Sequence, residues 1–124
     1  MSVLADGCFD PLHVGHIRYL EAAAEYGLLV VRVAPDTDIE AKGRRPFQTR
    51  EERMEMVRAL ECVFHVVDHD TLVASLRLLK PSALIKSAKW AGRLPGEVVA
   101  ACHDLAIDII YTHTDGKSST ERLA

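Results

Sequence analysis

Residues 7–16 read Gly-Cys-Phe-Asp-Pro-Leu-His-Val-Gly-His, and they join an apolar run to a helical pattern. Upstream, residues 3–5 are apolar and suit a buried strand. Downstream, from Ile17 onward, apolar residues recur at the spacing of a helix. A strand that passes into a helix through a glycine-containing turn predicts the opening unit of an α/β fold.

The start of this helix predicts a phosphate site. A helix N-terminus offers unpaired N–H groups and the positive end of the helix dipole. His13 and His16 lie three positions apart, so both face one side of the first turn and can donate to the same anion. Gly7 and Gly15 have no Cβ to obstruct a phosphate near the backbone. Cys8 and the two histidines could instead bind zinc, but a structural zinc site needs four ligands, so we favour phosphate.

Composition predicts one small soluble domain. The 124 residues, 48% of them hydrophobic, suffice for a single core, so we expect one domain over residues 1–124. The net charge of −3 disfavours non-specific nucleic-acid binding. Three widely spaced cysteines suit reduced thiols in the cytoplasm. No basic leader or long apolar run is visible, which predicts a cytoplasmic protein without a membrane partner.

The rest of the chain alternates between strand and helix patterns. Further strands are predicted at residues 28–34, 63–67, 83–85 and 107–111, and helices at 49–60, 71–79, 95–105 and after 116. With the first strand, this alternation predicts a Rossmann-like α/β fold, a doubly wound five-stranded parallel sheet with helices on both faces.

Local signals predict where two of these helices start. Thr49 and Glu52 have the spacing of a capping box. Asp70 or Thr71 is expected to cap the following helix. Arg53, in the first of these helices, could reach a ligand or a partner subunit, but we expect an exposed helical arginine.

A basic segment follows the second strand. Residues 36–48 include Lys42, Arg44 and Arg45, and we expect an irregular loop there. Ligands of open α/β sheets gather at the carboxyl ends of strands, so these residues are candidate phosphate clamps. The loop could equally be a solvated surface element. Trp90, the single tryptophan, could stack on a nucleobase or anchor a loop.

The stretch Gly-Cys-Phe-Asp-Pro-Leu-His-Val-Gly-His resembles the GxFDxxHxGH signature of the cytidylyltransferase-like branch of the nucleotidyltransferase superfamily. Over nearly the whole chain the sequence resembles the adenylyltransferase domain of ADP-heptose synthases, and glycerol-3-phosphate cytidylyltransferases somewhat less. The resemblance implies transfer of a nucleoside monophosphate from CTP or ATP to a small phosphorylated sugar or polyol, with release of pyrophosphate. It also implies a homodimer and a Mg²⁺ ion held mainly by phosphate and water, without confident protein ligands.

The resemblance also implies the residues of the site. The catalytic set is His13, His16, Lys42 and Lys117. The nucleotide-binding set is Gly7, Cys8, Phe9, Gly15, Lys86, Trp90, Ser118, Ser119 and Thr120. Residues 116–120, Gly-Lys-Ser-Ser-Thr, resemble the segment that closes over the nucleotide in this superfamily, although hydroxyl residues at a helix start are usually caps.

Three departures from the family pattern bear on function. Lys89 stands where relatives commonly have an acidic residue. His113 stands where the glycerol-3-phosphate enzymes have an arginine. The basic residue of the closing segment, Arg122, lies one position earlier than the family pattern expects. These departures leave a second hypothesis open, a nucleotide-binding protein that keeps the fold but has lost transfer.

Overall fold

The computed structural model describes residues 1–112 of the chain. Its strands are β1 (Ser2–Gly7), β2 (Leu28–Val33), β3 (His65–Val67), β4 (Ala83–Ser87) and β5 (Asp108–Thr112). Its helices are α1 (Val14–Ala24), α2 (Asp36–Glu40), α3 (Arg50–Arg58), α4 (Leu72–Leu79) and α5 (Gly96–Leu105), with a 3₁₀ turn at Ala88–Trp90.

The five strands form one parallel sheet in the order β3-β2-β1-β4-β5. The chain builds outward from β1 to β3 and then returns to the other side of β1 for β4 and β5. The carboxyl ends of β1 and β4 therefore meet where the winding direction reverses, and this is where open α/β sheets bind ligands. The predicted doubly wound fold is confirmed.

Helices cover both faces of the sheet, as the alternating patterns predicted. On one face, Leu20 of α1 and Val57 of α3 pack with Val3 and Ala5 of β1. On the other face, a second cluster joins α4 and α5 to Leu4 of β1, which lies between Val3 and Ala5 in the sequence. Because successive side chains of a strand point to opposite faces, a single short strand contributes to both clusters.

Tyr19 of α1 closes the gap where β1 and β4 separate. The two strands pair only from Val3 to Ala5 on the β1 side. Beyond that point the Tyr19 hydroxyl accepts from the Asp6 N–H at 3.3 Å and donates to the Ile85 carbonyl. Burial raises the pKa of Tyr19 far above its usual value, so the hydroxyl keeps the proton that it donates.

Both predicted helix caps are confirmed. The Thr49 hydroxyl accepts from the Glu52 N–H at 3.1 Å, and the Glu52 carboxylate accepts from the Thr49 N–H at 3.0 Å. At α4 the cap is Thr71, whose hydroxyl accepts from the Ala74 N–H at 3.0 Å. These side chains satisfy backbone donors that a helix start leaves without partners.

Several predicted boundaries are wrong, and one is the start of β3, which lies at His65 rather than at residue 63. Residues 36–48 contain the short helix α2 rather than only loop. Strand β4 runs to Ser87 instead of ending at residue 85, because β5 continues to pair with it through Tyr111 and Thr112. This extension makes Lys86 a buried strand residue.

The expectation that Arg53 is exposed is also wrong. Arg53 is fully buried, and its guanidinium donates to the carbonyl oxygens of Cys8, Ala34 and Gln48. It also pairs with the Asp36 carboxylate. Its planar fork of five donors satisfies several acceptors from separate segments at once, which explains why a charged side chain occupies the core.

Within residues 1–112, no helix combines the length and apolar character needed to cross a bilayer.

Candidate active site

The two histidines of the β1–α1 turn form the centre of the candidate site. His13 is the N-cap of α1 in an extended conformation, and its Nδ1 accepts from the Gly15 N–H at 3.0 Å. His16 reaches back so that its Nδ1 accepts from the His13 N–H at 3.2 Å. The rings stack with centroids 3.7 Å apart. The sequence predicted that they share one side of the first turn, and the structure brings them together.

These hydrogen bonds fix which nitrogen of each ring faces a ligand. Because each Nδ1 accepts a backbone N–H, the neutral ring carries its proton on Nε2. Both rings therefore keep an Nε2–H donor for a ligand. Burial, together with the nearby charges of His13 and Lys89, lowers the pKa of His16 to about 4, so His16 is a neutral donor at physiological pH.

The two glycines make room for rings of the protein itself. A Cβ on Gly15 would lie 2.9 Å from the His13 ring, and a Cβ on Gly7 would lie 2.9 Å from the Phe9 ring. This differs from the expectation that these positions stay open for a phosphate. Phe9 is buried with a positive φ of 54°, and its ring meets His16 edge-on with centroids 5.2 Å apart. The glycines thus make room for the rings of Phe9 and His13, and both rings pack against His16.

Asp10 anchors the basic loop beside the histidine pair. Its buried carboxylate accepts from the Arg44 guanidinium at 2.8 Å and from the N–H groups of Phe47 and Gln48. Burial alone would raise the pKa of Asp10, but these hydrogen bonds outweigh it, and the pKa lies below its usual value. The carboxylate is therefore ionised and already fully engaged within the protein.

Lys42 is the cation that this loop brings to the site. Its Nζ lies 3.6 Å from the Sγ of Cys8, the residue that directly follows β1. Arg44, by contrast, is held by Asp10, and Arg45 is exposed. Of the three cations predicted as phosphate clamps, Lys42 and Arg44 both contact the β1–α1 turn, but Arg44 is paired there with the Asp10 carboxylate.

A row of charged residues crosses the carboxyl ends of three adjacent strands. Asp6 of β1 is in register with Arg32 of β2, and its carboxylate accepts from Arg32 at 2.7 Å. On its other side Asp6 accepts from Lys86 of β4 at 3.4 Å. Lys86 also lies over the Trp90 ring, 4.7 Å from its centroid. Trp90 is half-buried and its ring packs against the Lys86 ammonium, so both of these predicted nucleotide-binding residues lie at the same edge of the sheet.

Sequence reasoning missed the roles of Asp6, Arg32 and Arg53. The available signal in the sequence was that Arg32 is the single charge in an otherwise apolar strand pattern. Its register opposite Asp6 is seen only in the structure. Its remaining donors bond the carbonyl oxygens of His69 and Asp70 after β3. For Arg53 the signal was its spacing of four residues before Val57, which places it on the core face of α3.

Several predicted residues lie outside the described part of the chain. They are Lys117, Ser118, Ser119 and Thr120 of the expected closing segment, together with His113 and Arg122. Within residues 1–112, no three His, Cys, Asp or Glu side chains are grouped so that they could hold a metal ion.

Comparison with known proteins matches this chain to one family. The model of the cytidylyltransferase-like family matches residues 4–120. The bifunctional protein HldE of Geotalea uraniireducens is 38% identical over 124 residues, covering 95% of this chain and 25% of that protein. HldE of Campylobacter fetus subsp. fetus is 40% identical over 123 residues, with 95% and 26% covered. The chain thus spans about a quarter of the length of these curated relatives.

A solved structure agrees with the family match. The lipopolysaccharide core biosynthesis protein from Thermoplasma volcanium superimposes with a TM-score of 0.75 at 26% identity, covering 88% of this chain and 91% of that chain. The match to the family model, the HldE relatives and the paired histidines at the head of α1 agree with one another. The chain therefore belongs to the cytidylyltransferase-like family of nucleotidyltransferases.

Proposed function

We propose that this protein transfers a nucleoside monophosphate from CTP or ATP to a small phosphorylated sugar or polyol. The observation that carries this proposal is the pair of Nε2–H donors at the start of α1, beside the carboxyl end of β1. A neutral imidazole N–H that is already aimed stabilises charge developing on phosphate oxygens without having to lose or gain a proton.

The proposed reaction is an in-line displacement. A phosphate oxygen of the acceptor forms a bond to the α-phosphorus of the nucleotide. The bond from that phosphorus to the oxygen bridging it to the β-phosphate breaks, and pyrophosphate leaves with the electron pair. Such a reaction depends on positioning and on charge stabilisation, so it needs fixed donors and cations rather than a protein nucleophile.

Lys42 is the described cation best placed to assist the triphosphate. Its contact with Cys8 holds it against the turn that carries the histidines. A lysine ammonium is a compact charge with three donors, suited to several phosphate oxygens at once. Lys117, Ser118, Ser119 and Thr120 are proposed to close over the nucleotide, on the strength of the family resemblance.

Mg²⁺ fits this site as an ion held by the substrate. The carboxylate of Asp10 is occupied by Arg44 and two backbone N–H groups, and Asp6 is paired with Arg32 and Lys86. Mg²⁺ retains several waters and binds readily to phosphate oxygens, so it needs few protein ligands. When bound, it would neutralise charge on the phosphate oxygens.

The use of CTP or ATP and of a phosphorylated acceptor is part of this proposal. We also propose that the protein forms a homodimer and lies in the cytoplasm. Support for an acceptor of the sugar-phosphate type comes from the family resemblance and from the HldE relatives. Trp90 and Lys86 lie together at the carboxyl edge of the sheet next to β1 and are proposed to meet the nucleotide there.

A pyrophosphate-release assay tests the proposal. The protein is incubated with Mg²⁺ and either CTP or ATP, together with one of a panel of sugar and polyol phosphates. We expect release that depends on both substrates and selects one nucleotide. Nucleotide binding without release for any acceptor would favour the second hypothesis, a binding protein that keeps the fold.

A further inference from the structure

Lys89 occupies the flank of the site opposite to Lys42. It lies in the 3₁₀ turn Ala88–Trp90 that directly follows β4. Strands β2 and β4 are the two neighbours of β1, one on each side. Lys42 approaches the end of β1 from the β2 side, where it contacts Cys8, whereas the turn that carries Lys89 leaves from the β4 side.

The charge of Lys89 is available to a ligand. Its side chain is exposed, and within residues 1–112 it forms no ion pair. Lys86, three positions earlier, is instead committed to Asp6 and to the Trp90 ring. The Lys89 charge is one of the causes of the lowered pKa of His16, after burial and His13.

The chemistry of the displacement requires two anionic groups on opposite sides of the reacting phosphorus. The entering and leaving oxygens lie roughly in line, so the acceptor approaches from the side opposite to the departing pyrophosphate. Both groups are negatively charged, and their mutual repulsion opposes the approach unless fixed cations stand next to each of them. Lys42 and the turn that carries Lys89 lie on the two sides of β1.

We propose that Lys89 binds the anionic group of the acceptor, while Lys42 on the other flank binds the phosphates that leave as pyrophosphate. This assignment rests on the proposed function, since it presupposes a nucleotide over the histidine pair. It makes Lys89 a determinant of acceptor affinity, because its ammonium offsets the charge of the attacking phosphate.

Binding of inorganic phosphate beside an uncleavable nucleotide tests this assignment. The protein is saturated with the α,β-methylene analogue of CTP or ATP, whichever it binds, and titrated with phosphate by calorimetry. Lys89→Gln is expected to weaken phosphate binding by about 10-fold or more, the value of one charge-assisted hydrogen bond. Its affinity for the analogue should stay within about twofold. Lys42→Gln should weaken binding of the analogue and leave the phosphate affinity within about twofold. Arg77→Gln, an exposed change in the last turn of α4, should alter neither affinity.

The possible outcomes separate this proposal from the function on which it rests. A parent protein that binds neither analogue overturns the proposed function. If the parent binds an analogue but no phosphate, or if Lys89→Gln leaves phosphate affinity unchanged, the acceptor role is wrong. Weakened analogue binding in Lys89→Gln with unchanged phosphate binding would assign Lys89 to the triphosphate instead.

Discussion

At the scale of single residues, His13 and His16 each use both ring nitrogens. One nitrogen accepts a backbone N–H at the start of α1, and the other keeps its proton for a ligand. The proposed role would use this division, since an imidazole accepts on one nitrogen and donates from the other, whereas an aspartate N-cap only accepts.

The first prediction concerns the loss of one of these donors. His16→Ala is expected to lower transfer by roughly two to four decades, because a fixed donor to developing charge is worth about 3 to 5 kcal/mol. The lost cap should cost only about 1 kcal/mol of stability, so the protein stays folded. Steady-state kinetics and circular dichroism check both parts, with His103→Ala on the far end of α5 as the matched control. Parental activity in a folded His16→Ala protein would contradict the assigned role.

The second prediction follows from the lowered pKa of His16. The folded protein protonates His16 at about pH 4, whereas the unfolded chain does so near its ordinary pKa of about 6.5. Between these values the unfolded state binds more protons, so stability falls as the pH drops from about 6.5 toward 4. Urea unfolding across this range should show a smaller loss for His16→Gln than for the parent. Equal losses in the two proteins would mean that His16 does not contribute.

At the scale of elements, the described site depends on how helices and loops are tied to the end of β1. Arg53 of α3 joins the β1–α1 turn, the end of β2 and the basic loop through the carbonyl oxygens it binds. Asp10 joins the same turn to the loop from the other direction. Two buried charged groups therefore hold the loop that brings Lys42 to Cys8 in the β1–α1 turn.

The third prediction tests this tie. Arg53→Met should destabilise the fold by about 3 to 5 kcal/mol, because several buried carbonyl groups lose their donor and Asp36 loses its partner. Arg53→Lys should recover little, since one ammonium cannot reach acceptors on three segments. Chemical denaturation measures both, and Arg58→Met on the exposed side of the same helix is the control. If Arg53→Met lowered the free energy of unfolding by less than about 1 kcal/mol, Arg53 would not hold these segments together.

The sequence predicted more of the elements than of their connections. Strand and helix patterns identified the sheet and both caps, because apolar periodicity and capping residues are local signals. The exposure of Arg53 was predicted wrongly, since a charged residue enters the core only when distant carbonyl groups surround it. The tie between Asp10 and residues 47–48 likewise depends on segments that meet only in the folded chain. The residue sets assigned to catalysis and nucleotide binding stay predictions.

At the scale of the whole molecule, one sheet carries two hydrophobic clusters, one on each face. Neither cluster is independent of the other, because β1, β2 and β4 contribute side chains to both. At the carboxyl edge the row formed by Arg32, Asp6 and Lys86 connects three strands.

The fourth prediction is that this arrangement unfolds as a unit. Urea denaturation followed by the fluorescence of Trp90, the single tryptophan, and by circular dichroism of the backbone should give the same midpoint. Trp90 reports on the carboxyl edge, and circular dichroism reports on all helices and strands. Separate midpoints would show that the edge with the candidate site unfolds before the rest.

The reciprocal capping of α1 has a consequence for the thermodynamics of ligand binding. The imidazole rings of His13 and His16 lose their rotational freedom when the helix forms, because backbone N–H groups, the Phe9 ring and their own stacking restrict them. An arriving phosphate therefore has little side-chain entropy left to remove at these two positions. Rings free to rotate would each lose on the order of 0.5 to 1.5 kcal/mol on binding. Here that loss occurs during folding, so the proposed binding of a phosphate would carry less of this entropic cost.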